Sequence, residues 1–303
     1  MRILVTGANG QLGHDVVKEA LKRGFEVVGT GSRDKENRPI DSNYIQLDIK
    51  DRDAVFSVIE KVRPDIVIHC AAWTNVDMAE KKENRDKVYA VNHLGTKHIA
   101  EACRKIDAKI LYISTDYVFS GHGDKPYPSD CDVFLPLNVY GDSKLQGENE
   151  IREMLKKYFI IRTSWVYGIN GNNFIKTMLN LSKNHNEIQV VNDQIGRPTY
   201  TKDLAELIVE MINTDKYGTY NATNEGDYIS WYDFAVEIFK TADIEIKVNP
   251  VSTEKYGSST ARRPLNSRLD TSKLKDNGFT PLPDWKDGLK RYMEELKKDN
   301  YLS

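Results

Sequence analysis

The sequence predicts an α/β chain, a doubly wound parallel sheet followed by a smaller α+β unit. Three observations predict it. Short β-branched runs alternate with amphipathic helical patterns through the first half of the chain. The strands are apolar on both faces, as a sheet covered by helices on each side requires. A glycine triplet, Gly7, Gly10 and Gly13, stands between the first strand and the first helix. At 303 residues the chain is long enough for two domains.

Ile3, Leu4 and Val5 form an apolar run bounded by turn signals. Leu12, Val16, Val17, Ala20 and Leu21 then recur at helical spacing, and Gly24 stops that helix. Residues 25–28 read as a second strand and 44–47 as a third. A helix over 51–62 places Val55, Val58, Ile59 and Val62 on one face, with Pro64 just beyond it. Residues 65–69 give the fourth strand, 85–106 a long helix and 109–113 the fifth strand. After a polar, proline-containing loop (121–136) come a helix over 140–157 and a sixth strand over 159–162. The rhythm then changes. Residues 172–182, 203–213 and 231–241 read as helices with short strand-like pieces between them, and a last helix covers 285–298. No repeat or low-complexity linker divides the chain, so the second part is expected to pack against the first.

Composition narrows the class. Forty per cent hydrophobic and 29 per cent charged residues describe a folded chain rather than a disordered one. Lys and Arg number 43 against 45 Asp and Glu, a formal net charge of -2, so neither nucleic acid nor an anionic membrane is the expected partner. Cys70, Cys103 and Cys131 are widely spaced and signal neither a disulfide framework nor a zinc site. The start of the chain lacks a signal-peptide pattern, and the longest apolar run, 66–73, is far short of the ~20 residues that cross a bilayer. A cytoplasmic location is the expectation.

The glycine triplet carries the first chemistry. Gly7 permits a tight turn, Gly10 lets a pyrophosphate approach the backbone, and Gly13 allows helix and strand to pack closely; Gln11 and Leu12 lie between them. Directly after a strand and opening a helix, this is a dinucleotide-binding Rossmann signature. Residues 1–168 are therefore expected to form a Rossmann domain carrying the catalytic residues. Residues 169–303 would be mainly a substrate-binding domain, with segments such as 196–214 candidates to return to the first. The second strand ends without the carboxylate that binds the ribose of NAD, and Ser32 and Arg33 follow. A guanidinium grips a 2′-phosphate where a carboxylate would repel it, so NADPH is expected, with NADH the other option. Asp34 beside Arg33 is a competing partner for it. Asp48 suits the adenine amino group, with Ile49 beside the ring, and the cofactor would be lined by Ala71, Ala72 and Trp73 after the fourth strand.

Tyr140 and Lys144 stand four residues apart on a helix and so share a face. A phenol whose pKa is lowered by a nearby ammonium can exchange a proton with a carbonyl oxygen. Thr115 and Asp116 fall at the end of the fifth strand, where open α/β sheets place ligands, and Thr115 offers a hydroxyl to the same carbonyl.

On these motifs the chain resembles the extended short-chain dehydrogenase/reductases, and more specifically the dTDP-4-dehydrorhamnose reductase family. The resemblance covers the glycine motif and residues 71–74, where the family often has His in place of Trp73. It extends through 91–92, 114–119, 136–141, 162–167, 193–199 and 263–267. It implies reduction of the 4-keto group of dTDP-4-dehydro-6-deoxy-L-mannose to dTDP-L-rhamnose, the last step in making that nucleotide sugar. Tyr140 would supply the proton, Lys144 would hold the nicotinamide ribose and depress the Tyr140 pKa, and Thr115 would polarise the carbonyl. Asp116 and Trp165 would contact the deoxysugar, and Asn173, Arg197 and Arg263 are candidates for the nucleotide–phosphate end. Some relatives bind magnesium at a dimer interface, but Glu19 and Glu294 do not match those positions and no metal is expected. A homodimer is one option for the assembly.

Two alternatives stay open on the sequence. Another sugar-nucleotide reductase, an epimerase or a dehydratase would share the fold, but a dehydratase carries a Glu directly after the residues matching Thr115 and Asp116, and here that residue is Tyr117. The other alternative is non-catalytic. Residues 26–48 also resemble the regulatory subunit of methionine adenosyltransferase, which Thr115, Tyr140 and Lys144 do not exclude. Trp165 and the sugar-site segments favour the reductase.

Overall fold

A computed structural model describes residues 1–32, 43–257 and 260–299. Six of the strands are β1 (Arg2–Thr6), β2 (Glu26–Gly31), β3 (Asn43–Gln46), β4 (Ile66–His69), β5 (Lys109–Thr115) and β6 (Tyr158–Thr163). They form one parallel sheet with a seventh strand, Gly218–Asn221, in the order 218–221, β6, β5, β4, β1, β2, β3. The chain builds outward from β1 to β3, then crosses back to β4. The switch of direction between β1 and β4 opens a crevice at their carboxyl ends, which is where this architecture holds ligands.

The helices of this part are α1 (Gln11–Lys22), α2 (Arg52–Val62), the short α3 (Val76–Glu80) and α4 (Arg85–Tyr89), α5 (Thr96–Ile106) and α6 (Val139–Met154); α7 (Phe174–Ser182) and α8 (Thr201–Met211) follow. One sheet face is covered by α1 and α8, whose Val16, Val17, Leu204 and Ile208 pack on Ile3, Val5 and Ile68. The opposite face is covered by α2, α5 and α6 through Val55, Ile59, Ile99, Ala100 and Ile151. α8, inside the segment 196–214 named as a candidate to return, lies along α1, and 218–221, beyond that segment, pairs with β6. A third cluster joins α7, α9 (Trp231–Ala242) and the final helix Trp285–Lys298 through Ile175, Leu179, Phe234, Ile238 and Leu289. Beside it, Glu187–Val191 pairs in parallel with Lys247–Val251.

The single helix expected over 85–106 is instead α4, a wide π-helical turn over 90–95, and α5. The turn presents Asn92, whose amide accepts from Trp73 N (2.8 Å) and donates to Trp73 O (3.1 Å) and Ser143 Oγ (3.0 Å). Local widening of this kind recurs where a helix must aim a side chain at a site. Among the described residues no helix is long and apolar enough to cross a membrane.

A buried ion pair ties α6 to β6. Arg162 donates from Nε to Glu148 Oε1 (3.0 Å) and from Nη2 to Oε2 (2.9 Å), and both side chains are essentially without solvent exposure. The guanidinium also lies over Phe119 and Phe134. Burying two charges costs desolvation that the bidentate geometry must offset, so removing one partner is worse than never having the pair. Glu148→Ala should therefore destabilise the fold by about 3–5 kcal/mol, read as a lower urea midpoint. A change within about 0.5 kcal/mol, the scale of a surface pair, would show that the pair is solvated in solution.

Candidate active site

Gly7 follows β1 with a left-handed φ of +66°, and a Cβ there would stand 2.7 Å from Ala71 N, so the turn after β1 can touch the segment after β4 only as glycine. At Gly13 a Cβ would meet Gly7 O at 2.2 Å, which packs α1 against the same turn. The twelve-residue α1 begins at Gly10 with no side-chain cap and no acidic residue in its first turn. Its free N–H groups and dipole face the crevice, a fit for a pyrophosphate.

The crevice is a cleft of about 970 Å³. Of the residues expected to hold the cofactor, Gly7, Gly10, Gln11, Leu12, Gly13, Ser32, Asp48, Ile49, Ala71, Ala72, Trp73, Tyr140 and Lys144 all line it. Arg33 lies outside the described residues. Among the described residues, the end of β2 presents Thr30, Gly31 and Ser32 to the cleft. Asp48 is exposed and already bound to its neighbour, accepting from Lys50 N (3.0 Å) and pairing with Lys50 Nζ (3.2 Å). Gln11 turns its carbonyl to Gly168 N (3.0 Å) and Asn173 Nδ2 (3.1 Å), linking the glycine turn to the chain that follows β6. Ala71 N donates to Thr6 Oγ1 (3.2 Å), and the Asn92 clamp fixes Trp73.

Thr115 and Asp116 leave the end of β5, and Tyr140 enters from the first turn of α6. Asn138 caps that helix by accepting from Gly141 N (2.8 Å), while Glu80 accepts from Val139 N (2.7 Å). A Cβ at Gly141 would lie 2.2 Å from Tyr117 O. Only glycine lets α6 press onto the turn after β5, and that contact brings the Tyr140 phenol under the influence of the Thr115 hydroxyl, which itself donates to Asp116 Oδ1 (3.1 Å). Tyr117 meets Tyr140 edge-on, with ring centroids 5.5 Å apart.

Burial pushes the Tyr140 phenol well above its ordinary value, and the Thr115 hydrogen bond only partly opposes this. The expected depression by Lys144 is not what the geometry gives. The Lys144 ammonium sits 4.0 Å from the centre of the Tyr112 ring, and its own pKa falls to about 7 because the group is buried, with Glu148 opposing. Asp116 is buried too, and its carboxyl rises to about 6, opposed by hydrogen bonds from Ser267 and Thr115.

Trp165 holds a left-handed backbone (φ +50°), rare for a bulky side chain, and its indole stacks on Trp231 with centroids 3.7 Å apart. Both indoles line the cleft and give it an apolar wall. Three further candidates stand outside the cleft lining. Asn173 caps α7 and donates to Gln11, Gly168 O (2.9 Å) and Tyr292 Oη (3.0 Å), so it serves as a joint between elements. Arg197 is buried against Tyr228 and bound to Glu225 (3.2 Å) and Leu269 O (3.1 Å). Arg263 bridges Asp77 (2.6 Å) and the Tyr117 hydroxyl (3.3 Å), one residue removed from the cleft surface. Sequence reasoning missed Asn9, Asn170 and Trp231 in the lining. Trp231 had one signal, an aromatic directly after the N-cap Ser230, but its partner Trp165 is 66 residues away and only folding joins them.

A parallel sheet with this glycine turn and with Thr115, Tyr140 and Lys144 in one crevice defines a protein of the extended short-chain dehydrogenase/reductase class. The chain belongs to the family described as RmlD substrate binding domain, which matches residues 1–298. It is 40% identical over 294 residues to the spore coat polysaccharide biosynthesis protein SpsK of Bacillus subtilis, covering 97% of each chain. It is 38% identical over 311 residues to the dTDP-4-dehydrorhamnose reductase of Escherichia coli K12, covering 98% of each. Among solved structures, a dTDP-4-dehydrorhamnose reductase from Bacillus anthracis in complex with NADP superposes with a TM-score of 0.88 at 43% identity, covering 97% of this chain and 99% of that one. The Thermus thermophilus UDP-glucose 4-epimerase, at 21% identity and a TM-score of 0.82, shares the fold.

The Lys144 amine should titrate near pH 7 in protein without added nucleotide, against an ordinary value of 10.5. Because burial disfavours the charged form, the amine is protonated below that point and neutral above it. Carbon-13 NMR of Cε-labelled lysine, with Lys144 assigned through Lys144→Arg, reads the midpoint directly. A midpoint above pH 9 would show that burial does not control the charge of this amine.

Proposed function

We propose that this chain reduces the 4-keto group of dTDP-4-dehydro-6-deoxy-L-mannose to dTDP-L-rhamnose, using NADPH. The observation that carries the reading is the convergence of Thr115, Tyr140 and Lys144 on the floor of a cleft whose other end is the glycine turn and the α1 N-terminus. The full-length likeness to dTDP-4-dehydrorhamnose reductases supports the substrate, and the NADP complex of the Bacillus anthracis protein supports the cofactor.

When bound, the reduced nicotinamide supplies a hydride to carbon 4 of the keto sugar. Thr115 holds the carbonyl oxygen by its hydroxyl, and Tyr140 donates its phenolic proton to that oxygen as carbon 4 is reduced. The raised phenol pKa keeps the proton on Tyr140 until charge develops on the sugar oxygen. Lys144 steadies the phenolate that results, and water then returns the proton. Gly10 and the α1 N–H groups bind the pyrophosphate, while Trp165 and Trp231 shield the deoxysugar from water. Tyr117 stands where a dehydratase needs a carboxylate base, and burial pushes its phenol up to about 12, a poor base at neutral pH. That weighs against dehydration.

Offered dTDP-4-dehydro-6-deoxy-L-mannose, the purified protein should consume NADPH in equal amount. A dehydratase or epimerase would show no net loss of reduced cofactor, and a regulatory subunit no turnover. Tyr140→Phe should lower kcat roughly 10²–10⁴-fold without changing the thermal midpoint; equal rates for the two proteins remove the proton-donor role. Arg33→Ala should raise KM for NADPH about tenfold and leave KM for NADH nearly unchanged, as loss of one charged contact to a 2′-phosphate implies. An equal effect on both cofactors would place the phosphate elsewhere.

A further inference from the structure

Lys144 poses a problem that the reaction does not solve. An ammonium only 2% exposed must keep its charge to steady a phenolate, yet burial works against that charge. The groups facing it can be taken element by element. From the end of β4 come His69 and Cys70. His69 is bonded through Nδ1 to Thr6 (2.6 Å) and through Nε2 to Thr96 (3.0 Å), and burial lowers its pKa to about 3. Cys70 is pushed up to about 12 by burial, so both stay neutral near pH 7. On α6 itself stand Tyr140, also neutral, and Glu148 one turn further on. Glu148 supports the charge from a distance, but its oxygens are held by Arg162 and Arg152. From β5 comes Tyr112, fully buried, with its ring under the ammonium.

We propose that Tyr112 is a positioning residue for Lys144: its aromatic face is the seat that keeps the buried ammonium charged and fixed in the cleft that Tyr140 also lines. The inference rests on the reductase reading for what Lys144 then does in turnover. A ring presents negative charge density on its face, and the attraction to a cation grows when both are out of water. Nζ lies 4.0 Å from the ring centre, inside the ~6 Å over which this attraction acts.

The seat is built into the packing. The Tyr112 hydroxyl makes a long hydrogen bond to Lys144 O (3.4 Å), so ring and helix are registered at the residue that carries the ammonium. A Cβ at Gly147 would stand 2.6 Å from that hydroxyl and 2.7 Å from Asn92 O, so glycine there lets α6 settle onto the ring. The His69 ring packs against Tyr112, with centroids 5.4 Å apart. Tyr112 touches neither cleft nor substrate and acts only through Lys144.

The experiment compares the wild-type protein with Tyr112→Phe and with 3,4,5-trifluorophenylalanine in place of Tyr112. The fluorinated ring keeps the shape but loses the negative face, so it leaves the fold intact where Tyr112→Leu would open a cavity. The Cε NMR midpoint of Lys144 is the primary readout, taken without nucleotide. Tyr112→Phe should leave it within roughly 0.3 pH unit, and the fluorinated ring should lower it by about one unit. The Kd for NADPH, measured by fluorescence, should rise several-fold for the fluorinated protein alone. In turnover its alkaline limb should move to lower pH, because the amine loses its proton earlier, while the thermal midpoint stays fixed. An unchanged Lys144 midpoint with the fluorinated ring overturns the proposal. So does an equal fall in Tyr112→Phe, which would assign the effect to the hydroxyl. If the wild type turns over the keto sugar and the midpoint does not move, only this inference fails. If no keto sugar is turned over, the titration still decides the seat.

Discussion

The contact on which the site depends is the close approach of α6 to the turn that leaves β5. Thr115 is fixed by the sheet and Tyr140 by a helix that starts 24 residues later, beyond a long polar loop. Their hydroxyls meet because a glycine, Gly141, lets two backbones touch where any side chain would hold them apart. Asn138 and Glu80 then satisfy the first N–H groups of α6, so the helix begins at a defined residue. Further along the same helix the buried Glu148–Arg162 pair sets its rotation against β6. Catalytic geometry of this kind tolerates little displacement, and rigid elements supply it better than loops do.

The same packing creates the electrostatic tension of the cleft floor. Tyr140, Lys144 and Asp116 are each pushed toward their neutral forms by burial. A phenol kept protonated suits the proton donor proposed for Tyr140, whereas an amine driven toward neutrality does not suit the charge-steadying role proposed for Lys144. For Lys144, Glu148 opposes this drive from a distance, and the ring of Tyr112 is the nearer support proposed for its charge. Burial that would be a defect elsewhere is what gives the site groups whose charge responds to the progress of the reaction.

The two halves of the molecule are less separate than their order along the chain implies. Gln11, within the glycine turn, accepts from Gly168 and Asn173, and Asn170 donates to Asn9 O (2.7 Å). Helix α8 and the strand 218–221 complete the first core from late in the sequence. Trp165 and Trp231, stacked in the cleft lining, therefore stand on a framework continuous with the glycine turn.

Much of this was legible in the sequence, for a physical reason. Strand and helix periodicity, the glycine turn and the Tyr140–Lys144 spacing are local, set by backbone sterics and by the geometry of one helix, and the parallel sheet with its crevice followed from them. Tertiary structure alone decided what depends on contacts distant in the chain. It broke the helix at 90–95 so that Asn92 could hold Trp73, added the strand 218–221 to the first sheet, and made Asn173 and Arg197 joints within the protein. It also set the Lys144 ammonium over the Tyr112 ring. Side-chain partners and burial fix such roles, and neither exists until the chain has closed on itself.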